Sequence, residues 1–257
     1  MSALAKWYWR HGRHDLAWRA ERDRWPILVS EVMLHQTQVP RVAAAWPDFI
    51  ARFPTAHAMA DAGPGAVIDA WGRLGYPRRA RRLWEAAVVI ARDGWPDDLA
   101  TLPGVGRYTS NAVLAQADDA DVTAIEVNVR RVVERVVGVR LSARAAEDAA
   151  RDVGAPLRGR DLLLALMDVG ALLCRVRDPR CDDCPLHPRC ATRGALAGET
   201  RAAVQGRFDG SFRQRRGTVL ATLRVAPVDV ASVDREALES LVADGLAFVD
   251  GDLARLP

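Results

Sequence analysis

Apolar residues recur every three to four positions from about residue 25 to residue 173, and the strict alternation typical of β-strands is nearly absent. Turn-forming residues interrupt this pattern at residues 53–55, 63–65, 93–96 and 102–104. The segments between the turns have the length of ordinary helices, roughly 8 to 15 residues. The pattern therefore predicts an all-α body.

The chain changes character near its C-terminal end. From about residue 194 to residue 210 the residues are small and polar with several glycines, which is typical of a linker. Residues 216–225 and 234–245 have helical patterns, and residues 248–254 contain an Asp-Gly pair between two strand-like runs. Two helices and a hairpin predict a small winged-helix-like module.

Composition excludes several classes of protein. The chain has 257 residues, of which 49% are hydrophobic and 27% charged, so it is neither mostly disordered nor collagen-like. No stretch approaches the roughly 20 apolar residues that a transmembrane helix needs. The first ten residues have no apolar signal-peptide core. We therefore expect a cytoplasmic protein with no membrane partner.

The basic residues are almost all arginine, because Lys6 is the only lysine among 36 basic side chains. Arginine has a planar fork of donors that suits phosphate groups and base edges. A GC-rich genome would also favour arginine codons throughout a chain. Both explanations stay open from composition alone.

All four cysteines fall between positions 174 and 190, with the spacing C-x6-C-x2-C-x5-C; they are Cys174, Cys181, Cys184 and Cys190. In a cytosolic chain, such a concentration of thiols indicates metal binding rather than disulfides. Four thiolates suit either a tetrahedral zinc ion or a [4Fe–4S] cluster, and the spacing alone does not separate the two. The sequence thus predicts a metal centre in this segment.

A glycine-rich turn separates two helical patterns at Leu102-Pro103-Gly104-Val105-Gly106-Arg107-Tyr108-Thr109. The glycines permit a tight turn, and the N-terminus of the following helix attracts an anion. This is the pattern of a helix-hairpin-helix element, which contacts the DNA backbone without reading its sequence. A plain helix connection has the same composition.

Several segments together resemble one family. Ser30–Val39 (SEVMLHQTQV) resembles the SEVMLQQTQV segment of MutY-type adenine DNA glycosylases, and Arg73-Leu74-Gly75-Tyr76 resembles their GLGY turn. The hairpin, the stretch Asn128–Val132, and Ala165–Ala171 before the cysteines also match, in order, over about residues 15–195. The resemblance implies the helix-hairpin-helix glycosylase fold, a [4Fe–4S] cluster and double-stranded DNA as partner.

The resemblance also implies a domain plan and a location. It assigns residues 1–193 to the glycosylase domain, with a helical barrel subdomain at 25–138 and a cluster-bearing subdomain at 1–24 and 139–193. Residues 194–212 form a linker, and the winged-helix-like module covers 213–257. We expect a monomer associated with the bacterial nucleoid.

Cleavage of an N-glycosidic bond needs an acid for the departing base and a carboxylate that faces the cationic sugar. Glu31 lies in an apolar, amide-rich helical segment that would raise its pKa, so it is the candidate acid. Glu126 stands where the family has aspartate, and its extra methylene moves the carboxylate by about 1 Å. Either the pocket is rebuilt around glutamate, or this chemistry is weakened.

Related bifunctional enzymes use a lysine just after the hairpin to form a Schiff base, and the matching residue here is Tyr108. The resemblance therefore implies a monofunctional enzyme with water as the nucleophile. Tyr108 itself is either a hydrogen-bonding group at the reacting centre or a packed aromatic side chain.

The resemblance assigns further residues by position. Gln36 and Tyr76 match the family's wedge residues, which insert into the base stack where the flipped base leaves it. The other predicted DNA contacts are Leu74, Arg78 and Arg79 and the hairpin residues Gly104, Val105, Gly106 and Arg107. The base pocket falls on Trp18, Arg19, His35 and Leu164.

His35 replaces a family glutamine, and Leu164 cannot hydrogen-bond a base, so the base that is removed stays open. The leading hypothesis is removal of adenine or a related base from mismatched or damaged duplex DNA. The alternatives are excision of thymine or uracil opposite guanine, or of a bulky damaged purine, and a catalytically inactive DNA-binding iron–sulfur protein.

Overall fold

The prediction of a mainly helical chain is confirmed by the computed structural model, which describes residues 1–199 and 206–257. Over these ranges it contains eleven α-helices and three short strands. The helices are α1 (Ala3–His11), α2 (Arg24–Leu34), α3 (Val39–Arg52), α4 (Ala56–Trp71), α5 (Arg78–Asp93), α6 (Arg107–Ala117), α7 (Val127–Val137), α8 (Ala143–Gly154), α9 (Gly159–Asp168), α10 (Phe212–Val225) and α11 (Arg235–Ala243). The strands are β1 (Val228–Asp229), β2 (Phe248–Asp250) and β3 (Leu253–Arg255).

Helix α7 shows why the apolar period produces these elements. Val129, Val132, Val133 and Val136 follow the spacing i, i+3, i+4, i+7, and all four are buried. The helix ends at Gly138, whose φ of 89° is left-handed and favours glycine. One buried stripe and one terminating glycine therefore define the whole element.

The predicted turn at residues 63–65 is present as a kink inside α4. Gly63 has a φ of 80°, which is not helical, and it separates two helical segments of α4. The turn at 53–55 separates α3 from α4, and the Thr55 side chain caps α4 by accepting a hydrogen bond from Ala58 N at 3.1 Å.

The described chain divides into two compact units. Unit 1 contains residues 1–31 and the described part of 105–202, and unit 2 contains residues 32–104 and the described part of 203–257. The core of unit 1 is aliphatic and draws on α1, α6, α7, α8 and α9. The core of unit 2 includes Phe49, Phe53 and Trp71, whose rings meet edge to face with centroids 5.0 and 5.8 Å apart.

The winged-helix-like order predicted at the C-terminal end is confirmed as helix, strand, helix, strand, strand. The hairpin β2–β3 pairs Val249 with Ala254, and Gly251 turns it with a φ of 60°. Strand β1 was not predicted, since two residues are too short to show alternation. It pairs with β3, so the antiparallel sheet has the order β1-β3-β2.

Within unit 2 this C-terminal segment packs on α4 and α5. Arg224 Nε donates to the carbonyl oxygen of Ile68 at 3.3 Å, and Arg81 Nη1 donates to that of Gly245 at 2.6 Å. A Cβ at Gly65 would collide with the carbonyl oxygen of Pro257, so the C-terminal residues pack directly on α4. The predicted domain boundaries stay a prediction, and part of the predicted linker lies outside the described residues.

None of the helices in residues 1–199 and 206–257 is both long and apolar enough to cross a membrane.

A buried ion pair ties the N-terminal segment to α9 in unit 1. Asp168 is fully buried, and its two carboxylate oxygens accept hydrogen bonds from Arg19 Nη1 and Nη2 at 2.6 and 2.8 Å. Arg13 adds its Nε and its backbone N–H, at 2.6 and 2.8 Å. Burial alone would raise the pKa of Asp168, but Arg19 and Arg13 outweigh it, so this pKa lies below its ordinary value.

Asp168→Asn is expected to lower the free energy of unfolding at pH 7 by about 3–5 kcal/mol, because the buried guanidinium group of Arg19 and the partly exposed one of Arg13 lose their counter-charge. Since the folded-state pKa is depressed, the stabilisation is complete above the unfolded pKa of about 3.9 and is lost as the pH falls through the folded value. Urea unfolding at several pH values measures both effects. Asp148→Asn is the control, because its ion pair with Arg151 is exposed and is worth at most about 1 kcal/mol. Equal costs in the two variants would contradict this account.

Candidate active site

Glu31 lies on the apolar helix α2 and is buried, with 4% of its surface exposed. Its Oε2 accepts a hydrogen bond from the Tyr108 hydroxyl at 3.0 Å, and its Oε1 accepts one from Gln116 Nε2 at 2.7 Å. Both donors come from α6, which begins directly after the glycine-rich turn. The carboxyl group is therefore held at both oxygens by neutral donors.

Burial raises the pKa of Glu31, and the hydrogen bonds from Gln116 and Tyr108 oppose this only in part. The negative charge of Glu126 raises the pKa of Glu31 further. Burial, together with the two glutamates, also holds the pKa of Tyr108 well above 10, so its hydroxyl keeps its proton. The site thus favours a protonated Glu31.

Glu126 occupies the position just before helix α7. Its Oε1 accepts a hydrogen bond from the backbone N–H of Val129, and its Oε2 accepts one from Asn128 Nδ2, both at 2.9 Å. Burial raises the pKa of Glu126 above its ordinary value, and the hydrogen bonds from Asn128 and Val129 and the charge of Arg131 oppose this only in part. Because a helix N-terminus stabilises negative charge, Glu126 is the better of the two carboxyls to stay ionised.

Sequence reasoning named Glu31, Glu126 and Tyr108, and the structure brings them together in unit 1. It missed Gln116 and Asn128. Gln116 had a visible signal, since it is a polar residue on an apolar face of α6, about two turns after Tyr108. Asn128 follows Glu126 by two residues and also accepts a hydrogen bond from Arg131 Nη2 at 2.7 Å.

The glycine-rich turn has the backbone that its composition predicts. Gly104 has a φ of 76°, and a Cβ there would lie 2.7 Å from Arg82 Cβ, so the position requires glycine. Gly106 precedes α6 and supplies no side-chain cap. Val105 is buried, whereas the Arg107 side chain is 75% exposed and pairs with Glu147 at 2.8 Å. The helix before this turn is a single 3₁₀ turn, Leu99–Thr101.

The predicted wedge residues in unit 2 both have strained backbones. Gln36 has a φ of 57° and Tyr76 a φ of 46°, conformations that non-glycine residues rarely adopt. Both are exposed, and the Tyr76 side chain stands at the surface with 44% of its area accessible. Leu74, also predicted to contact DNA, is buried and packs inside unit 2.

Arg79 holds these two turns in place. Its Nη1 donates to the carbonyl oxygens of Val32, Met33 and His35, and its Nη2 donates to Thr37 Oγ1 at 2.9 Å and to the Gly75 carbonyl oxygen at 3.0 Å. Burial lowers the pKa of Arg79 to about 10. A phosphate contact was predicted for this residue and stays a prediction; its Nη1 and Nη2 donors bind oxygen atoms of the protein itself.

The other arginines of this run also have internal partners. Arg78 forms an ion pair with Asp244, and both Arg81 and Arg82 bind Glu85, at 3.0 and 3.1 Å. Arg78 remains 71% exposed, so a phosphate can still reach it.

The four residues predicted for the base pocket are placed less uniformly. Trp18 and Leu164 are buried, Leu164 within the core of unit 1, and Arg19 binds Asp168. His35 is half-buried, and burial together with the charge of Arg79 lowers its pKa. The base-pocket roles of these four residues stay predictions.

The four cysteines line one pocket of unit 1. Its wall is otherwise largely apolar, with Arg135 Nη1 donating to Cys174 Sγ at 3.6 Å and Arg193 N donating to Cys190 Sγ at 3.4 Å. Burial raises the pKa of Cys184 to about 11, so this thiol ionises only beside a cation. Within the described ranges, no three His, Cys, Asp or Glu side chains are gathered closely enough to hold one metal ion.

Comparison with known proteins defines the class. Residues 29–155 match the HhH-GPD superfamily of base excision DNA repair proteins. The chain is similar to a solved structure of a thermostable thymine-DNA glycosylase, with 26% identity and a TM-score of 0.67 over 74% of this chain and 93% of the other. A non-covalent endonuclease III–DNA complex, at 22% identity and a TM-score of 0.63 over 74% of this chain and 91% of the other, supports the same fold.

The sequence relatives are more specific. The adenine DNA glycosylase of Mycolicibacterium smegmatis is 45% identical over 97% of this chain and 92% of the relative. That of Mycobacterium tuberculosis is 46% identical over 98% and 91%. The chain therefore belongs to the HhH-GPD superfamily of base excision DNA repair proteins, on the branch of the adenine DNA glycosylases, which confirms the predicted resemblance.

Proposed function

We propose that this chain is a monofunctional DNA glycosylase that removes adenine from mismatched or damaged duplex DNA by hydrolysis. One observation carries the proposal: the buried Glu31 carboxyl and the half-buried Glu126 carboxyl of one unit have different hydrogen-bond partners, which suit a proton on Glu31 and a negative charge on Glu126. Glu31 has neutral hydrogen-bond donors at both oxygens, and Glu126 has a helix N-terminus. The relatives named as adenine DNA glycosylases support the choice of base.

The roles follow from this division. Glu31 gives its proton to a ring nitrogen of the base, so the bonding electrons of the glycosidic bond leave with a neutral base. The ionised Glu126 faces the positive charge that develops on the sugar. Water then adds to the sugar carbon, and its proton returns to Glu31. The net reaction is hydrolysis.

DNA must also be held and the base brought out of the duplex. The helix N-terminus after Gly106 and the exposed Arg78 and Arg107 suit backbone phosphates. Gln36 and Tyr76 are the side chains that fill the gap left by the flipped base. Their strained backbones, held by Arg79, keep the two side chains at the surface.

A lyase step needs an amine at the reacting centre. Tyr108 occupies the position after the hairpin and binds Glu31, and Lys6 lies on the exposed face of α1. The product is therefore an intact abasic site.

A second candidate keeps the reaction and changes the base to thymine opposite guanine. It is favoured by the similarity to a thymine-DNA glycosylase.

The proposal is tested with duplexes that carry adenine, thymine, uracil or hypoxanthine opposite guanine or 8-oxoguanine, followed by alkali to cut abasic sites. We expect cleavage at adenine after alkali and none before it, with no borohydride-trapped adduct. Glu31→Gln keeps the shape of the side chain but cannot deliver a proton, so its excision rate should fall about 10² to 10⁴-fold. DNA affinity should be nearly unchanged. Excision of thymine alone would select the second candidate, and full activity of Glu31→Gln would reject the mechanism.

Glu126→Asp tests whether the pocket is built around the longer side chain. Glu126 spans from its own backbone to both Val129 N and Asn128 Nδ2, so the shorter carboxylate should lose one of these contacts and lower the single-turnover rate. Glu126→Gln should be severely impaired, because it removes the charge that faces the sugar. A faster Glu126→Asp enzyme would show that glutamate is a defect, and wild-type excision by Glu126→Gln would remove Glu126 from the mechanism.

The four cysteines would hold a [4Fe–4S] cluster, because soft thiolates arranged around one pocket suit it and the arginines beside it offset its negative charge. Such a cluster would stabilise the loop that carries it. Protein purified without oxygen should contain iron and sulfide and absorb at about 400 nm. Cys184→Ser should impair folding or DNA binding more than the chemical step. Stoichiometric zinc without iron would overturn this assignment.

A further inference from the structure

Gln116 is the buried polar side chain of the site that the mechanism above leaves without a role. It is 2% exposed, and its Nε2 donates to Glu31 Oε1 at 2.7 Å. The backbone carbonyl oxygen of Gln116 accepts a hydrogen bond from Arg160 Nη1 on α9. Glu31 thus holds the side-chain amide of Gln116, and Arg160 holds its backbone.

We propose that Gln116 is a positioning residue that directs the acidic proton of Glu31 to Oε2, the oxygen beside Tyr108. The inference rests on the proposed role of Glu31 as proton donor. It adds which oxygen delivers the proton and which residue decides this.

The chemistry of the two donors carries the argument. An amide nitrogen donates hydrogen bonds and accepts none, so the oxygen that faces Gln116 Nε2 cannot itself carry a hydrogen toward it. A hydroxyl both donates and accepts. The Tyr108 hydroxyl can therefore turn and accept from Oε2 when Glu31 is protonated, at the same 3.0 Å separation. One carboxyl oxygen is restricted to accepting, and the other is available for the proton.

Arg160 on α9 holds the backbone around Gln116 in place. Arg160 is buried, and besides Gln116 it donates through Nη2 to the backbone carbonyl of Arg19. Its backbone N–H donates to Asp119 Oδ1 at 3.0 Å, just beyond the end of α6. Helix α9 thereby anchors the C-terminal turn of α6, on which Gln116 lies.

The pH dependence of excision should report this contact. The groups that act on Glu31 are Gln116 and Tyr108 from α6, Glu126 before α7, and Arg19. The hydrogen bond from Gln116 favours the ionised form of Glu31, so it lowers the pKa of the acid. Removing it should raise that pKa. Because a general acid is active only when protonated, activity would persist to higher pH.

The experiment measures single-turnover excision between pH 5 and 10 for three α6 variants. Gln116→Met removes the donor with little change of length, and Gln116→Glu keeps the shape and replaces the donor with a carboxyl. Asn111→Ala is the control, since Asn111 Nδ2 donates to the Thr123 carbonyl oxygen at 2.9 Å and does not bind Glu31. Melting temperatures and affinities for an uncleavable duplex separate folding and binding from the chemical step.

We expect the alkaline limb of both Gln116 variants to move up by about one pH unit or more, in line with the loss of a hydrogen bond to a charged group. The plateau rate should fall about tenfold, because the carboxyl group is no longer oriented. DNA affinity should stay within about twofold, and the Asn111→Ala profile should keep its midpoint. Unmoved limbs in both Gln116 variants would overturn the proposal.

A shift to lower pH would also overturn it, because Gln116 would then accept the proton through its amide oxygen. Glu31→Gln separates this failure from that of the proposed function. If Glu31→Gln is inactive while the Gln116 profiles are unchanged, only the positioning role is lost. If Glu31→Gln retains excision, Glu31 is not the acid, and the proposed mechanism itself is wrong.

Discussion

A carboxyl group buried away from water must either be neutralised by a cation or carry a proton, and the site depends on this constraint. Unit 1 contains both solutions. Asp168 is surrounded by the guanidinium groups of Arg13 and Arg19, so it is ionised and structural. Glu31 accepts hydrogen bonds from the neutral donors Tyr108 and Gln116, and its burial outweighs them and the charge of Arg19, so its pKa rises and the proton stays available. The same residue chemistry thus yields an anchor in one place and an acid in the other.

Glu126 replaces the family aspartate at the reacting centre, and the start of helix α7 accommodates this replacement. Its carboxylate caps α7 through the Val129 N–H, a role that the shorter aspartate fills more commonly at helix starts. The longer arm also reaches Asn128, which is in turn held by Arg131. These contacts hold the carboxylate in one position, so the glutamate that replaces the family aspartate has hydrogen-bond partners at both of its oxygens.

The arginine-rich composition has a structural use as well as an electrostatic one. Arg79 holds the turns that carry Gln36 and Tyr76, and Arg81 and Arg78 bind the C-terminal segment of unit 2. A guanidinium group can satisfy several carbonyl oxygens at once because its donors diverge in one plane. A run of arginines is therefore not by itself a phosphate site, since the fold uses the same donors to join its own turns.

Many features of this protein could be predicted from its sequence alone. The helical period predicted the helices, Gly104 marked a turn, and the order of motifs identified the family together with Glu31, Glu126, Tyr108 and the four cysteines. These features are local, because each depends on a few neighbouring residues. Only the tertiary structure decided which polar groups meet across distant segments. Glu31 and Gln116 are 85 residues apart, and Arg19 and Asp168 are 149 apart. No period or spacing in the sequence predicts such pairs, because they meet only when the chain folds. Their burial in the folded protein then determines whether each group is charged.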